Sequence, residues 1–272
     1  MDTIQIDIQV TSIQQSEIVI AELSEKGFHG FQENNNNLSA FVNENLFDEH
    51  LLQALFSPLN LSYTKKIIAD RNWNQKWETE FRPVVIGSFV AVRAAFHSPI
   101  KEVEHEIIIT PKMSFGTGHH ATTYLMLQQM KEIDFKNKSV LDFGTGTGIL
   151  AILANKLGAH VVTAIDNDEW SIENAKENIE NNDCKNISLI QNDSISGLGP
   201  FDIILANINL NIIKDNITGL KRACHSLTKI LLSGFLLSDE SELKRIFSFN
   251  ALQIKNLQQK EGWICISLFV EK

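Results

Sequence analysis

Apolar and polar positions alternate from the start of the chain. Ile4, Ile6, Ile8 and Val10 are separated by polar residues, the period of a half-buried strand. A helical pattern follows over 17–23, with Ser16 as the expected N-cap and Gly27 as the stop. Residues 28–33 and 38–42 flank a run of four asparagines, Asn34 to Asn37, and read as a hairpin with a polar turn. Asp48 is placed to cap a short helix through Phe56, which Pro58 ends, and 61–68 is a further strand. The order β-α-β-β-α-β is that of a small ferredoxin-like α+β domain.

Trp73, Trp77 and Phe81 then fall four residues apart, one face of a helix that Pro83 terminates. Strands are expected over 84–86, 89–92 and 106–109, ahead of a glycine-containing loop at 111–120. Beyond residue 120 the segments lengthen and alternate. Helices are expected over 121–130, 148–157, 169–180, 210–223 and 240–247, the last capped by Ser238 or Asp239. Strands are expected over 139–142, 161–165, 187–190, 201–206 and 230–232. Alternation of this kind gives a parallel doubly wound sheet. Residues 252–258 and 263–270, turning at Glu261-Gly262, add an antiparallel terminal hairpin.

Charge divides the chain the same way. Its 272 residues carry a formal net charge of −9, yet residues 1–60 hold one basic side chain, Lys26, and nine acidic ones. That stretch alone is −8, which argues against a protein that grips phosphate backbones and favours a basic partner. The three cysteines, Cys184, Cys224 and Cys265, lack CxxC spacing, so neither a metal site nor a disulfide framework is expected. No apolar run nears the ~20 residues of a membrane span, and the N-terminus does not read as a signal peptide. A soluble, cytoplasmic protein is expected.

The candidate chemistry lies where the expected strand 139–142 runs into Gly144-Thr145-Gly146-Thr147-Gly148 and a helix. Glycines there allow a tight turn and close approach of a ligand. Asp166 ends the next strand, placed for ribose hydroxyls. A dinucleotide fingerprint needs a small residue at position 149, which is Ile149. Asp142 before the turn suits a cationic ligand instead. S-adenosylmethionine, with its sulfonium and ammonium, meets that requirement, and the spacing resembles motif I of class I methyltransferases. Asn207 ends the strand 201–206, where the switch-point rule puts ligand-facing residues. Its carboxamide oxygen can accept a hydrogen bond from a substrate amine; the alternative is a helix cap. His119 and His120 lack partners for a metal site and are alternatively surface or capping groups.

Together, Phe115-Gly-Thr-Gly-His-His-Ala-Thr-Thr123, the glycine loop with Asp142, Ala164-Ile-Asp-Asn-Asp168 and Ala206-Asn-Ile208 resemble the PrmA family, which methylates large-subunit ribosomal protein eleven. The similarity covers residues 70–272, including Trp73, Trp77 and Phe81-Arg-Pro-Val84; over the N-terminal part it rests on size and element order. It implies a Rossmann-like class I methyltransferase domain at 83–272, a helical linker at 70–82 and a ferredoxin-like substrate-recognition domain at 1–69. It implies methyl transfer from S-adenosylmethionine to lysine ε-amines, and to the α-amine, of that basic protein. The family's cofactor residues map onto Thr123, Gly144, Asp166 and Asn207, with Asn207 also catalytic. Phe115, Gly116, His119, Asp142 and Gly146 complete the expected pocket, and Asp193 is placed for the adenine amino group. No metal, membrane or direct nucleic-acid partner is implied, and a monomer is expected. Many family members follow Ala-Asn-Ile with Leu-Ala-Gly, whereas this chain has Asn209-Leu210-Asn211 beside the acceptor site. The rival readings are a class I methyltransferase acting on another protein or small-molecule amine, and an NAD enzyme.

Overall fold

A computed structural model describes residues 2–34, 37–68, 81–112 and 116–271. The chain divides into two compact units, Met1–Glu80 and Phe81–Lys272.

The first unit is an antiparallel sheet of β1 (Thr3–Gln9), β2 (Gly30–Asn34), β3 (Asn37–Asn43) and β4 (Tyr63–Ile68), in the order β2-β3-β1-β4. Helices α1 (Ile13–Glu25) and α2 (Glu49–Phe56) complete the ferredoxin-like element order. Ile4, Ile6 and Ile8 point from β1 into a core with Val19, Leu23, Leu52 and Phe56. Asp48 caps α2, its Oδ1 accepting from the His50 and Leu51 amides. The α1 cap differs from expectation. Ser12 holds the Gln15 amide, so the helix begins a turn earlier. Ser16 is buried inside it, and its hydroxyl donates to Glu33. Of the expected linker, residues 69–80 with Trp73 and Trp77 lie outside the described residues. Phe81 and Arg82 carry no helix, and Phe81 is buried against His97 and His119.

The second unit opens with a three-stranded sheet, β5 (Val84–Ile86), β6 (Val90–Ala94) and β7 (His105–Ile109), β5-β6 being antiparallel and β6-β7 parallel. Seven further strands form the main sheet: β8 (Ser139–Phe143), β9 (Val161–Asp166), β10 (Ile187–Gln191), β11 (Phe201–Asn207), β12 (Cys224–Leu236), β13 (Leu252–Lys260) and β14 (Trp263–Val270). Their order is β10-β9-β8-β11-β12-β14-β13, with the first five parallel and β14 antiparallel to both its neighbours. Strand β12 is much longer than the expected 230–232: its start, Cys224, pairs with Phe201 of β11, and past a bulge at Gly234 it continues by pairing with β14.

Helices α3 (Ala121–Met130), α4 (Ile149–Lys156), α5 (Glu169–Asn181), α6 (Leu210–Arg222) and α7 (Glu240–Phe249) cover the sheet. Ile203 and Leu205 of β11 pack into one apolar layer with α3 and α4, and Ile204 and Ala206 into the other with α6 and α7. Burial on both faces explains the unbroken apolar run of that strand. Asp239 precedes α7 without capping it, because its carboxylate accepts from the Leu236 amide. The outer edge of β7 is met by side chains. Asn182 bonds both the amide and the carbonyl of Ile108, and Asn178 Oδ1 accepts from the Thr110 amide at 2.7 Å. No helix among the described residues is long and apolar enough to cross a membrane.

Candidate active site

The chain leaves β8 to build β9 and β10 on one side, then returns to place β11 on the other. That reversal opens a crevice at the carboxyl ends of β8 and β11. A cavity of about 780 Å³ occupies it. Gly144, Gly146, Asp166, Asp193 and Asn207 all line its wall, with Ile208, Asn209, Ile212, Gly234, His120 and Trp263.

The loop after β8 is held from behind. Gly144, Gly146 and Gly148 have φ of 73°, 54° and 79°, the left-handed region that favours glycine. Asp166 Oδ2 accepts from the Gly146 amide at 2.8 Å, and its Oδ1 accepts from the Asp168 amide at 3.1 Å. Asp142 is fully buried beneath the loop and absent from the cavity wall. Its Oδ2 accepts from Thr145 Oγ1 at 2.6 Å and from the Ala151 amide at 3.1 Å, tying strand, loop and α4 together. Burial pushes its carboxyl up to about 7, against the hydrogen bonds from Thr145 and Ala151. Asp142 therefore supports the loop from behind and does not itself line the cavity. Thr147 Oγ1 donates to the Gly116 carbonyl at 2.6 Å, and the Thr147 carbonyl accepts from Asn178. Gly116 thus braces the loop from outside the wall.

Asn207 stands opposite. Its Nδ2 donates to Thr123 Oγ1 at 3.2 Å, while its Oδ1 is buried with no hydrogen-bond partner among the described residues. Thr123 is itself fully buried and meets the cavity through Asn207. Asn209, and not Asn207, caps α6, accepting from the Ile212 amide at 3.1 Å. The departure at 209–211 is thus a helix start.

The two histidines exchange their expected places. His120 caps α3, its Nδ1 accepting from the Thr122 amide, and lies 4.7 Å from the Trp263 ring on the cavity wall. His119 sits outside the wall and bonds the Arg82 carbonyl at 2.8 Å. Neighbours in extended chain face opposite ways, so only one of the pair can line the crevice. Phe115 lies outside the described residues. Among those described, no group of three or more His, Cys, Asp or Glu side chains could hold a metal. Sequence reasoning missed Trp263, Gly234 and Ile212. Trp263 begins the strand after Glu261-Gly262, and that turn was the one local signal.

A family model described as "Ribosomal protein L11 methyltransferase (PrmA)" matches residues 3–270. The chain belongs to this family. The N-terminal unit is included in the match, although its sequence resemblance rested on element order alone. The chain is 37% identical over 264 residues to the "Ribosomal protein L11 methyltransferase" of Phocaeicola vulgatus, covering 94% of each chain. It is 38% identical over 258 residues to the protein of that description from Porphyromonas gingivalis, covering 92% of this chain and 89% of that one. Among solved structures it is similar to a ribosomal protein L11 methylase from Lactobacillus delbrueckii subsp. bulgaricus. That match has a TM-score of 0.66 and 28% identity, over 71% of this chain and all of that one.

This member of the PrmA family is therefore a Rossmann-like, S-adenosylmethionine-dependent methyltransferase. The site fits that cofactor on its own geometry. It offers a carboxylate at the end of β9, Gly144 and Gly146 on the wall with no side chain to bar a ligand, and on Asn207 a buried acceptor without a partner among the described residues.

Proposed function

We propose that the protein methylates lysine ε-amines, and the N-terminal α-amine, of ribosomal protein L11, with Asn207 as the residue that receives the acceptor nitrogen. The observation that carries this reading is that Asn207, a residue of the cavity wall, has a buried Oδ1 without a partner among the described residues. A buried carbonyl oxygen without a donor is costly, and an incoming amine N–H relieves that cost. Bound S-adenosylmethionine supplies a methyl group activated by its sulfonium. Thr123, Gly144, Asp166, Asn207, Gly146 and Phe115 are proposed to surround that cofactor. Asp193 is proposed at its adenine end. Gly116, His119 and Asp142 act one layer out, through the loops they brace.

The amine must shed its proton before it can attack. A free lysine has a pKa of ~10.4, and a dry site lowers it. His120 Nδ1 is engaged with Thr122, so the proton is proposed to leave to solvent and not to a side-chain base. Asn207, with a nearby backbone carbonyl, then fixes the direction of the lone pair.

The N-terminal unit is proposed as the recognition domain. Glu17, Glu22, Glu25 and Glu49 are exposed there, a surface complementary to a basic partner. A domain over 1–69 with a linker over 70–82, acting as a cytoplasmic monomer without nucleic acid, completes the reading. The three free cysteines suit a reducing compartment.

The test is incubation of the purified protein with S-adenosylmethionine and recombinant ribosomal protein L11, read by intact-mass and peptide spectrometry. Increments of one methyl group on lysines and the N-terminus are expected. An unmodified L11, with label on another protein or small amine of a lysate, would overturn the substrate and keep the chemistry.

A further inference from the structure

Two glycines, Gly144 in the loop after β8 and Gly234 in β12, close around one residue. At Gly144, φ 73°, an added Cβ would stand 2.3 Å from Ile208 Cγ2. At Gly234, φ 98°, it would stand 2.3 Å from the Ile208 carbonyl oxygen and 2.6 Å from its carbon. Both distances lie far inside van der Waals contact, so both positions require the absence of a side chain. The Ile208 amide donates to the Ser233 carbonyl at 3.0 Å. The side chain of Ile208 is thus seated on the loop after β8, and its peptide on the bulge of β12. The residue before it is Asn207.

We propose that Ile208 is a positioning residue for methyl transfer: gripped between Gly144 and Gly234, it fixes the peptide that follows Asn207 and so holds that carboxamide in place at the cavity wall. The inference rests on the methyltransferase reading. Its chemical reason is the narrow tolerance of an in-line displacement, in which a 1 Å misplacement costs on the order of 10²-fold in rate. The β-branch is the working part. Cγ2 is the methyl that meets Gly144; valine keeps such a methyl, whereas leucine has similar bulk without it.

Steady-state methylation of L11, S-adenosylhomocysteine calorimetry and thermal melting should be measured on one set of variants. Ile208→Val is expected to stay within about threefold of the parent kcat. Ile208→Leu and Ile208→Ala should each lose about 10²-fold in kcat, with KM and S-adenosylhomocysteine affinity moving less than about threefold. A second arm needs no turnover. Gly144→Ala should weaken S-adenosylhomocysteine binding, and adding Ile208→Ala, which removes the methyl its Cβ meets, should recover about tenfold. Turnover that follows side-chain volume or melting temperature, with leucine as good as isoleucine, overturns the proposal. So does a double variant no better than Gly144→Ala. A parent protein that leaves L11 unmethylated counts against the substrate reading, and the calorimetric arm then decides the Ile208 contact by itself.

Discussion

The two walls of the crevice treat Asp166 and Asn207, the polar side chains at their strand ends, in opposite ways. On the glycine-loop side, Asp166 bonds Gly146 and Asp168, and Thr145 and Thr147 donate to Asp142 and Gly116. On that wall the Asp166 carboxylate is tied before any ligand arrives, and the oxygen on this side without a partner among the described residues, Asp142 Oδ1, is buried beneath the loop and off the cavity wall. On the Asn207 side, one half of the carboxamide is tied to Thr123 and the other half is left without a partner. Satisfied groups make a rigid cradle, whereas an unsatisfied one holds binding capacity in reserve for whatever completes it. The contrast separates a braced wall from one that keeps an acceptor without a partner, which is the division of labour proposed above.

Removing the reserved acceptor breaks the comparison most severely. Asn207→Ala is expected to lose about 10²–10³-fold in kcat, while S-adenosylhomocysteine affinity by calorimetry stays within about threefold. Unchanged turnover would falsify the role given to Asn207.

The cradle side is tested through Asp142. Its folded pKa of about 7 stands above the ordinary 3.8, so between those values the folded chain keeps a proton that the unfolded chain has released. Stability is therefore lost as pH rises through that window. Asp142→Asn removes the titration and keeps an oxygen for Thr145 and Ala151. Urea denaturation should show the parent losing about 2 kcal/mol more than this variant between about pH 5 and about pH 8. Equal losses in the two proteins would place the buried carboxyl elsewhere in the ledger of pH effects.

The smallest effect lies outside both walls. Glu22→Gln with Glu25→Gln, on the exposed face of α1, should raise KM for L11 by about two- to fourfold at low salt and flatten its salt dependence. Asp48 is a poorer probe than its charge suggests, because it caps α2. An unaltered salt profile would leave these carboxylates with solubility alone.

The strand–loop–helix around Gly144 and the strand ends at Asp166 and Asn207 were legible in the sequence. A periodicity of two running into glycines is a local signal, and the switch-point rule converts it into a place. What the sequence concealed was set by distant partners. The start of β12 comes from pairing with β11 and its far end from pairing with β14, and the cavity-facing Trp263 comes from a hairpin that returns beside α3. The choice of His120 over His119 is a matter of which neighbour faces inward. The burial of Asp142 was hidden for a related reason: its place in the sequence says that it adjoins the loop, but not that it lies beneath it. Ser12, and not Ser16, caps α1 because Ser16 falls on the buried side, against Glu33.

The asparagines of α5 carry a consequence for the molecule among its neighbours. An exposed sheet edge is a template on which another chain can lay itself. In β7 the groups that would do the recruiting, the Ile108 amide and carbonyl and the Thr110 amide, are already matched by the carboxamides of Asn182 and Asn178. Side chains here play the part of a missing strand. They shield this edge of the small sheet from edge-to-edge association and brace it from outside.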